Sequence, residues 1–430
     1  MEKRNPLSAM ERDYLYRRKQ QGASHRAVAQ ELKCSIETVR KHWKAYRHGH
    51  TRRDRGRPAR GILSQYPEAV RQQAIAVKQA HPHWGPANVR IELAHQLSCS
   101  VKQLPSQSRL SALFKQACPE AVQPRKPKVV AVRPPPNWQV QQRWQIDAVE
   151  KIRLTDGRFV TMLQIREPVS ALIIACHAFE TTKSATTWRK LTLSEVQMVV
   201  REAMQQWGRP LEIQTDHEGV YAGAGQNDFP TPFTLWLAGL HIAHCFSRKG
   251  TPTDQAQMER SQRTLGDMSW KDGQFTTLAD LQAALDISRQ RYNEELAVHA
   301  GLCHGEVPLQ KTPWAIHTGR AFEPSLEVDL FDLLSVDHLL YERVFTRKID
   351  QNGVLWLGSS TYYFKRPCRS MVVQARFLPE KRSFAFASDT GEVFDIQPAK
   401  GLSREDLTGE LPVGLPIPVP FQLPLPLQEV

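Results

Sequence analysis

The sequence predicts a multidomain protein with all-α N-terminal units, an α/β core, a small C-terminal β-barrel and a disordered, proline-rich tail. Three observations predict this arrangement. The chain of 430 residues is long enough to bury several separate cores. Positive charge is concentrated at the front, and the apolar periodicity changes from helical to strand-like after Trp138. Apolar content of 41% and charged content of 23% are ordinary for a globular protein and exclude wholesale disorder.

Charge is distributed unevenly along the chain. Residues 1–61 contain 17 Lys+Arg and 6 Asp+Glu, a net charge of +11, and residues 62–140 contain 10 and 3, a net charge of +7. Because the whole chain carries +13, the remaining residues carry −5. A basic front attached to a mildly acidic body predicts an arm that binds a polyanion, joined to a separate working domain.

Cysteine usage and hydropathy indicate the compartment. The seven cysteines form no C-x-x-C pair and their number is odd, so we expect neither a disulfide framework nor a cysteine-rich zinc site. No apolar run approaches the roughly 18 residues of a membrane span, and Met1–Pro6 lacks the apolar stretch of a secretion signal. We therefore expect a cytoplasmic protein with no membrane partner.

The first domain is predicted over residues 8–50. Ser8 caps a helix that ends near Gln20, a short helix covers Arg26–Leu32, and a third helix begins at Ile36 after the cap Ser35. The second and third helices, with the tight turn between them and the basic outer face of the third, predict a helix-turn-helix. This motif fits a DNA major groove. An ordinary three-helix bundle with a solvated basic face is the alternative. The residues expected to contact DNA are Arg26, Glu37, Arg40, Lys41 and Lys44.

A basic linker over residues 51–61 follows. Arg, Gly and Pro dominate this stretch, which predicts a flexible segment whose guanidinium groups follow phosphates or enter a minor groove. A plain solvated tether is the alternative. The arginines expected to contact DNA are Arg52, Arg53, Arg55 and Arg57.

A second helical domain, also predicted to bind DNA, covers residues 62–118. Its helices are expected over Tyr66–Ala80, Ala87–Gln96 and from Leu104 to about Gln116. Residues 119–137 are rich in proline and form an extended linker, which marks the clearest domain boundary in the chain.

The α/β core is predicted over residues 138–300. Arg143–Val149, Phe159–Ile165 and Val169–Phe179 read as an antiparallel meander of three strands. A helix, a strand, a helix, a strand and a further helix follow. This order is typical of the ribonuclease H type of α/β layer, although other α/β folds begin in the same way.

The C-terminal part is predicted as a connector, a barrel and a tail. The connector covers residues 301–338, and short strands separated by turn signals from Leu339 to Ile396 predict a small β-barrel over residues 339–400. Residues 401–430 form the tail, where six prolines between Pro412 and Pro426 predict an extended, disordered segment.

Three acidic residues have unusual sequence contexts. Asp147 lies within a strand that otherwise reads as buried, Asp216 ends a short apolar strand, and Glu259 lies on a helix. Buried carboxylates are costly unless they are paired or bound to a cation, and a pair of divalent ions relieves the repulsion between three of them. Such a site cleaves and joins phosphodiesters without a covalent enzyme intermediate. For each residue alone, a cap, a salt bridge or a solvated position is the simpler explanation.

Four stretches of the chain together resemble the insertion-sequence transposases of the DDE integrase-core family, which is similar to the retroviral integrases. The first two are Ala29–Lys41 and the segment from Trp84-Gly85 to Leu104-Pro105-Ser106, which resemble the N-terminal DNA readers. The third comprises the blocks Trp144-Gln145-Ile146-Asp147, Thr215-Asp216 with Tyr221, and Pro252–Arg260. The fourth comprises Tyr292-Asn293 with Thr312-Pro313, and Arg347–Ile349 through Tyr362–Phe364.

The resemblance implies an activity and its requirements. It implies cleavage at transposon ends and joining of the 3′ ends to target DNA, with Asp147, Asp216 and Glu259 holding two Mg²⁺ or Mn²⁺ ions. Double-stranded DNA and further copies of the chain are the implied partners, and some relatives also need an ATPase partner protein. The implied location is the nucleoid of a prokaryotic cytoplasm.

The sequence departs from the family pattern in three places, and other functions stay open. Lys33 occupies a turn position where glycine is favoured. The glycine that usually stands two residues after the second Asp is Gly219 here, and 42 residues separate Asp216 from Glu259, more than is usual. Asp254 and Glu218 are the alternative third acids. A catalytically inert DNA-binding regulator is the main alternative function, and a structure-selective nuclease is the third.

Overall fold

The computed structural model describes residues 7–48, 62–122, 138–184, 187–217, 219–222, 228–248 and 256–409. The chain divides into two compact units, Met1–Arg71 and Gln72–Val430. Across the described ranges, the structure contains no helix whose length and apolar character suit a membrane span.

The first unit contains three helices in the predicted order. They are α1 (Ala9–Gln20), α2 (His25–Glu31) and α3 (Ile36–Arg47). Ser8 and Glu11 form a capping box on α1, and the hydroxyl of Ser35 accepts a hydrogen bond from the backbone N–H of Thr38 to cap α3. Lys33 adopts a left-handed conformation with φ of 49° in the turn between α2 and α3. The predicted caps and turn are therefore confirmed.

The core of the first unit lies between the three helices. Leu15, Val28 and Val39 are fully buried and belong to one hydrophobic cluster with half-buried Trp43. Ile36, which helical spacing would place on the same face as Val39, is 39% exposed because it lies at the first position of α3.

The second unit begins within α4. Its first helices are α4 (Glu68–Ala80), α5 (Pro86–Gln96) and α6 (Gln107–Ala117). The helix predicted to begin at Leu104 begins three residues later. Leu104 is extended, as expected for a residue that precedes a proline, and Ser106 occupies the N-cap position of α6.

A five-stranded mixed sheet forms the centre of the second unit. The strands of this sheet are β1 (Arg143–Arg153), β2 (Phe159–Arg166), β3 (Ile173–Glu180), β6 (Glu212–Thr215) and β7 (Ala243–Phe246). Between β3 and β6 in the chain, β4 (Thr182–Ser184) and β5 (Thr187–Trp188) form a separate two-stranded ribbon. The sheet order is β3-β2-β1-β6-β7, with β1, β2 and β3 antiparallel and β1, β6 and β7 parallel. The predicted meander and the mixed α/β class are confirmed.

The third strand is shorter than predicted at its start. It begins at Ile173 instead of Val169, because the buried carboxylate of Glu167 accepts hydrogen bonds from the backbone N–H groups of Val169 and Ser170. These bonds hold the chain in a turn, and Ala171, which follows Ser170, has a φ of 64°.

Helices cover the sheet. They are α7 (Leu193–Trp207), α8 (Gly219–Ala222), α9 (Pro232–Gly239), α10 (Ala256–Met268) and α11 (Leu278–Glu294). Residues 249–255, which precede α10, lie outside the described residues.

The C-terminal region contains short helices and two antiparallel sheets. The helices are α12 (Pro308–Lys311), α13 (Glu327–Leu330), α14 (Leu333–Tyr341) and α15 (Arg404–Thr408). The strands are β8 (Val344–Lys348), β9 (Val354–Leu357), β10 (Ser360–Tyr363), β11 (Val372–Leu378), β12 (Ser383–Ala387) and β13 (Val393–Pro398). Four strands pair in the order β13-β12-β11-β8, and β9 pairs with β10 in a hairpin. Closure of these strands into a barrel stays a prediction.

Two predictions for this region are wrong. The strand expected from Leu339 begins only at Val344, because Leu339 and Leu340 belong to α14. The tail expected to be disordered from residue 401 contains α15, whose N-terminus carries a capping box between Ser403 and Asp406. The remainder of the tail, from residue 410, lies outside the described residues, as does most of the predicted linker 119–137.

One hydrophobic cluster joins the mixed sheet to the C-terminal strands. It includes Trp144 of β1, Phe345 of β8 and Phe384 of β12, all at most 1% exposed. The ring of Phe229 lies 4.8 Å from that of Phe345 and 6.1 Å from that of Phe384. The hydrophobic core therefore continues across the predicted boundaries at residues 300 and 338.

Candidate active site

The register of the central strands brings Asp147 and Asp216 to one level of the sheet. β1 and β6 run parallel, and Cα pairing aligns Trp144 with Ile213 and Gln145 with Gln214. The same register continued by two residues aligns Asp147 with Asp216, the first residue after β6. The side chains of Gln145 and Gln214 share a hydrogen bond of 3.1 Å, so they lie on one face. Because side chains alternate along a strand, Asp147 projects to this face, and so does Asp216 as far as it continues the strand.

Helix α10 crosses the same face of the sheet. The side-chain amide of Gln262 donates to Oδ2 of Asp147 at 2.9 Å, and that of Gln164 on β2 donates to the hydroxyl of Ser261 at 2.8 Å. Glu259 lies three residues before Gln262, so it occupies the same side of α10 one turn nearer its N-terminus. Glu259 is exposed, whereas Asp147 and Asp216 are half-buried.

A buried arginine anchors the first turn of α10. Arg166 of β2 is 1% exposed, and its guanidinium donates to the backbone carbonyl of Gln257. With the bonds at Ser261 and Gln262, this contact ties three positions of α10 to β1 and β2. The position of Glu259 therefore depends on the sheet and not on a surface loop.

A chain of hydrogen bonds supports the end of β6. His244 of β7 bonds through Nε2 to the hydroxyl of Thr215 at 3.0 Å and through Nδ1 to that of Thr234 at 2.8 Å. The hydroxyl of Thr215 also donates to the backbone carbonyl of Asp216 at 3.0 Å. Burial lowers the pKa of His244 to about 4, so the ring is neutral near pH 7 and carries one N–H donor.

The chain after Asp216 is held by the neighbouring strand. His217 bonds through Nε2 to the backbone carbonyl of Ser247 at 2.9 Å, and its ring stacks on Phe246 with centroids 5.1 Å apart. The displaced glycine, Gly219, is the first residue of α8. Tyr221 is buried with its ring edge against Phe233, 5.3 Å between centroids, so it has a packing role.

The three carboxylates have the chemistry of a divalent-ion site without a metal-binding arrangement in this structure. Among the described residues, no group of three or more His, Cys, Asp or Glu side chains is placed to hold a metal ion. An all-oxygen donor set of two aspartates and a glutamate is nevertheless what Mg²⁺ or Mn²⁺ prefers, and such ions keep several waters. The strand register and the position of α10 predict that the three residues share one face of the sheet, and their convergence on ions also stays a prediction. The alternative third acids, Glu218 and Asp254, lie outside the described residues.

Sequence reasoning missed Gln262, Arg166 and His244. Gln262 carried a usable signal, because a polar residue three positions after a candidate ligand lies on the same side of a helix. Arg166 and His244 carried none, because their roles depend on contacts with residues distant in the chain.

The candidate DNA contacts of the first unit lie on its surface. Those in the described part of the chain are all exposed: Arg26 on α2, and Glu37, Arg40, Lys41 and Lys44 on α3. The linker candidates Arg52, Arg53, Arg55 and Arg57 lie outside the described residues. DNA contact by either set stays a prediction.

Among known proteins, the chain is similar to solved structures but matches no family model and no curated protein. The catalytic core domain of BIV integrase is similar with a TM-score of 0.29 and 17% identity, over 40% of this chain and 92% of that one. The catalytic core domain of HTLV-2 integrase in complex with magnesium is similar with a TM-score of 0.29 and 16% identity, over 40% of this chain and 97% of that one. A chain of the simian T-cell lymphotropic virus intasome in complex with the PP2A regulatory subunit B56γ is similar with a TM-score of 0.32 and 14% identity, over 72% of this chain and 96% of that one. At such TM-scores, the function has to be argued from the residues of this chain.

Proposed function

We propose that this chain is a DNA transposase that binds transposon ends, cleaves their 3′ ends and joins them to target DNA. The observation that carries the proposal is the parallel register of β1 and β6, which aligns Asp147 with Asp216 when it is continued by two residues. On the face crossed by α10, Gln262 bonds to Asp147, and Glu259 lies one turn away from Gln262. Exposed basic residues on α3 supply a surface for duplex DNA. The chain acts as a multimer on nucleoid DNA in the prokaryotic cytoplasm.

In this proposal Asp147, Asp216 and Glu259 hold two Mg²⁺ or Mn²⁺ ions. Bound ions of this kind activate the attacking water or 3′-hydroxyl and stabilise the leaving oxygen. The protein contributes position: Gln262 orients the Asp147 carboxylate, and the Thr215–His244–Thr234 hydrogen bonds fix the chain at Asp216. Arg166 fixes the turn of α10 that carries Glu259.

Replacement of one candidate ligand tests the mechanism. The full chain is incubated with duplexes taken from the DNA that flanks its gene, with Mg²⁺ or with EDTA, and joined strands are resolved on a denaturing gel. We expect Asp216→Asn to lower joining by at least about 10³-fold, since a neutral amide lacks the negative charge of a carboxylate ligand. Asp286→Asn is the matched control on the exposed surface of α11 and leaves joining unchanged.

The same experiment separates the alternatives. Equal joining by wild type and Asp216→Asn would remove the mechanism. Specific binding of element ends with no metal-dependent cleavage by the assembled protein would identify the inert DNA-binding regulator. Cleavage without joining and without preference for ends would identify a structure-selective nuclease.

A further inference from the structure

A cleft of about 1420 Å³ lies in the second unit between the helical layer of α4 to α6 and helix α10. Lys78, Trp84 and Arg90 line it from the helical layer. Arg263 lines it from α10, and Lys271 lines it from just beyond the end of that helix. The cleft is separate from the Asp147 face already described, but it shares α10 with that face.

Two residues that line the cleft each contain a buried N–H group without an acceptor in the part of the chain that the structure describes. Trp84 is 5% exposed, and its indole N–H has no hydrogen-bond partner among the described residues. The same holds for Nε of Arg90, whose Nη2 donates to the carbonyl of Val101 at 2.7 Å. A buried N–H without an acceptor is destabilising, and a ligand acceptor that reached either group would offset this cost.

A buried ammonium group lies beside these donors. Lys78 is 5% exposed, and Nζ donates to the backbone carbonyls of Pro82 at 2.6 Å and Trp84 at 2.9 Å. Burial lowers the pKa of Lys78, and the nearby carboxylate of Asp272, which opposes this effect, is bonded to the backbone N–H and ring of His83. A bound anion would offset the cost of holding this charge away from water.

The rim of the cleft adds further positive charge. Lys115 and Arg263 are exposed and form no ion pair or hydrogen bond with any residue in the described ranges. Asp267, the acidic residue in the lining, is paired with Lys271 at 2.6 Å. The N-terminus of α6 also opens here, where the Ser106 side chain makes no capping bond, so backbone N–H groups of the first turn are available.

We propose that this cleft binds phosphate groups of a DNA backbone. The proposal rests on the proposed function for its ligand, but it assigns a site separate from the carboxylates and from α3. Arg263 lies four residues after Glu259, so the two project from the same side of α10. A strand held in the cleft is therefore held by the helix that carries Glu259, which couples DNA binding by the helical layer to the position of the candidate active site.

The test measures the affinity of the full chain for a fluorescently labelled duplex of arbitrary sequence. EDTA is present throughout, so catalysis plays no part, and the KCl concentration is varied. Trp84→Phe removes the indole N–H while keeping an aromatic ring, and Arg263→Ala removes one rim charge. We expect the Kd to rise about 3-fold for Trp84→Phe and about 5-fold for Arg263→Ala, with a salt slope lower by about one for the latter.

The chain contains matched controls for both variants. Trp207 is also 5% exposed, and its indole N–H has no hydrogen-bond partner among the residues described. Because Trp207 lies in the hydrophobic cluster of the mixed sheet, Trp207→Phe leaves the Kd unchanged. Arg376→Ala removes an exposed arginine of β11 outside the cleft lining and also leaves it unchanged. Thermal unfolding of each variant confirms that it is folded at the temperature of the measurement.

Competition with inorganic pyrophosphate and with ATP distinguishes the source of the phosphate. Weaker duplex binding by both cleft variants, with the controls unchanged, supports a DNA backbone as the ligand. If the variants lose pyrophosphate or ATP binding and keep duplex affinity, the cleft holds a free phosphate compound and the proposal is wrong. Unchanged binding of all three probes would also overturn it. None of these binding measurements requires strand joining. The transposase proposal is tested separately, by the joining assay with Asp216→Asn, so the two proposals can fail independently.

Discussion

The ionisation of His244 is controlled by its burial. Two threonine hydroxyls bond its ring nitrogens, and burial lowers its pKa from 6.5 to about 4. The unfolded chain takes up a proton as the pH falls through 6.5, whereas the folded chain does so only near 4. The stability contributed by neutral His244 is therefore present above pH 6.5 and is lost progressively as the pH falls towards 4.

We expect this residue to make the protein more sensitive to mild acid. Between pH 7 and pH 5, wild type should lose on the order of 2 kcal/mol of its free energy of unfolding through His244, and His244→Gln should not show this part of the loss. Urea unfolding at the two pH values measures the difference. His338→Gln removes a histidine whose side chain is 72% exposed and serves as the control. An equal loss in wild type and His244→Gln would contradict the assignment.

At single positions, the sequence predicted the candidate ligands better than the residues that support them. Asp147 and Asp216 were found because a carboxylate in an apolar strand is unusual whatever lies near it. The role of Gln262 depends on a contact with Asp147, 115 residues away in the chain. Such a contact is created by the packing of α10 on the sheet, and periodicity alone does not encode it.

Four helices are joined by one buried ion pair. Arg201 of α7 and Glu327 of α13 are 2% and 0% exposed, with two hydrogen bonds of 2.5 and 2.8 Å between them. Glu327 also accepts from the indole N–H of Trp236 on α9 at 2.8 Å, and Arg201 donates to the carbonyl of Thr408 on α15 at 2.5 Å. We expect Glu327→Ala to lower the free energy of unfolding by about 3–5 kcal/mol, because it leaves a buried guanidinium uncompensated.

Chemical unfolding of both this variant and a neighbour tests the value. Glu323→Ala removes an exposed carboxylate four residues earlier and should change the free energy of unfolding by less than about 0.5 kcal/mol. Comparable losses in the two variants would show that the buried pair contributes no more than a surface charge.

Helix α3 and the linker that follows are expected to act on DNA in different ways. Arg40 and Lys41 are exposed on the helix proposed to enter the major groove, so Arg40→Ala should lower the preference for element ends over arbitrary DNA by about tenfold. Replacement of Arg52, Arg53, Arg55 and Arg57 by alanine should weaken binding to both DNAs equally and lower the salt slope. Titration of both duplexes across KCl concentrations measures both effects, and an unchanged slope would contradict the linker assignment.

Local signals explain which elements could be predicted. The helices of the first unit were correct because Ser8 and Ser35 are strong caps and Lys33 lies in a tight turn. The strand predicted at Leu339 was wrong because a short apolar run fits a buried helix as well as a strand. Packing favours the helix at this position, because α14 places Val336 and Leu340 in the common hydrophobic cluster.

At the scale of the second unit, the C-terminal strands belong to the same core as the mixed sheet. The sequence indicated a separate small domain, because short strands separated by turn signals resemble an independent barrel. It could not show that Phe345 and Phe384 pack against Phe229, which follows from the three-dimensional path of the chain. A shared core implies that the mixed sheet loses stability when these strands are removed.

Truncation tests the shared core. A chain ending at Glu342 loses β8 to β13 and α15, exposes Phe229 and removes the carbonyl of Thr408 from Arg201. We expect its thermal midpoint to fall by about 10 °C or more, with increased binding of a hydrophobic dye, since several fully buried side chains lose their contacts. A chain ending at Gly409 keeps every contact described above and should unfold at the wild-type temperature. If the shorter chain also unfolded at that temperature, the C-terminal strands would form an independent domain after all.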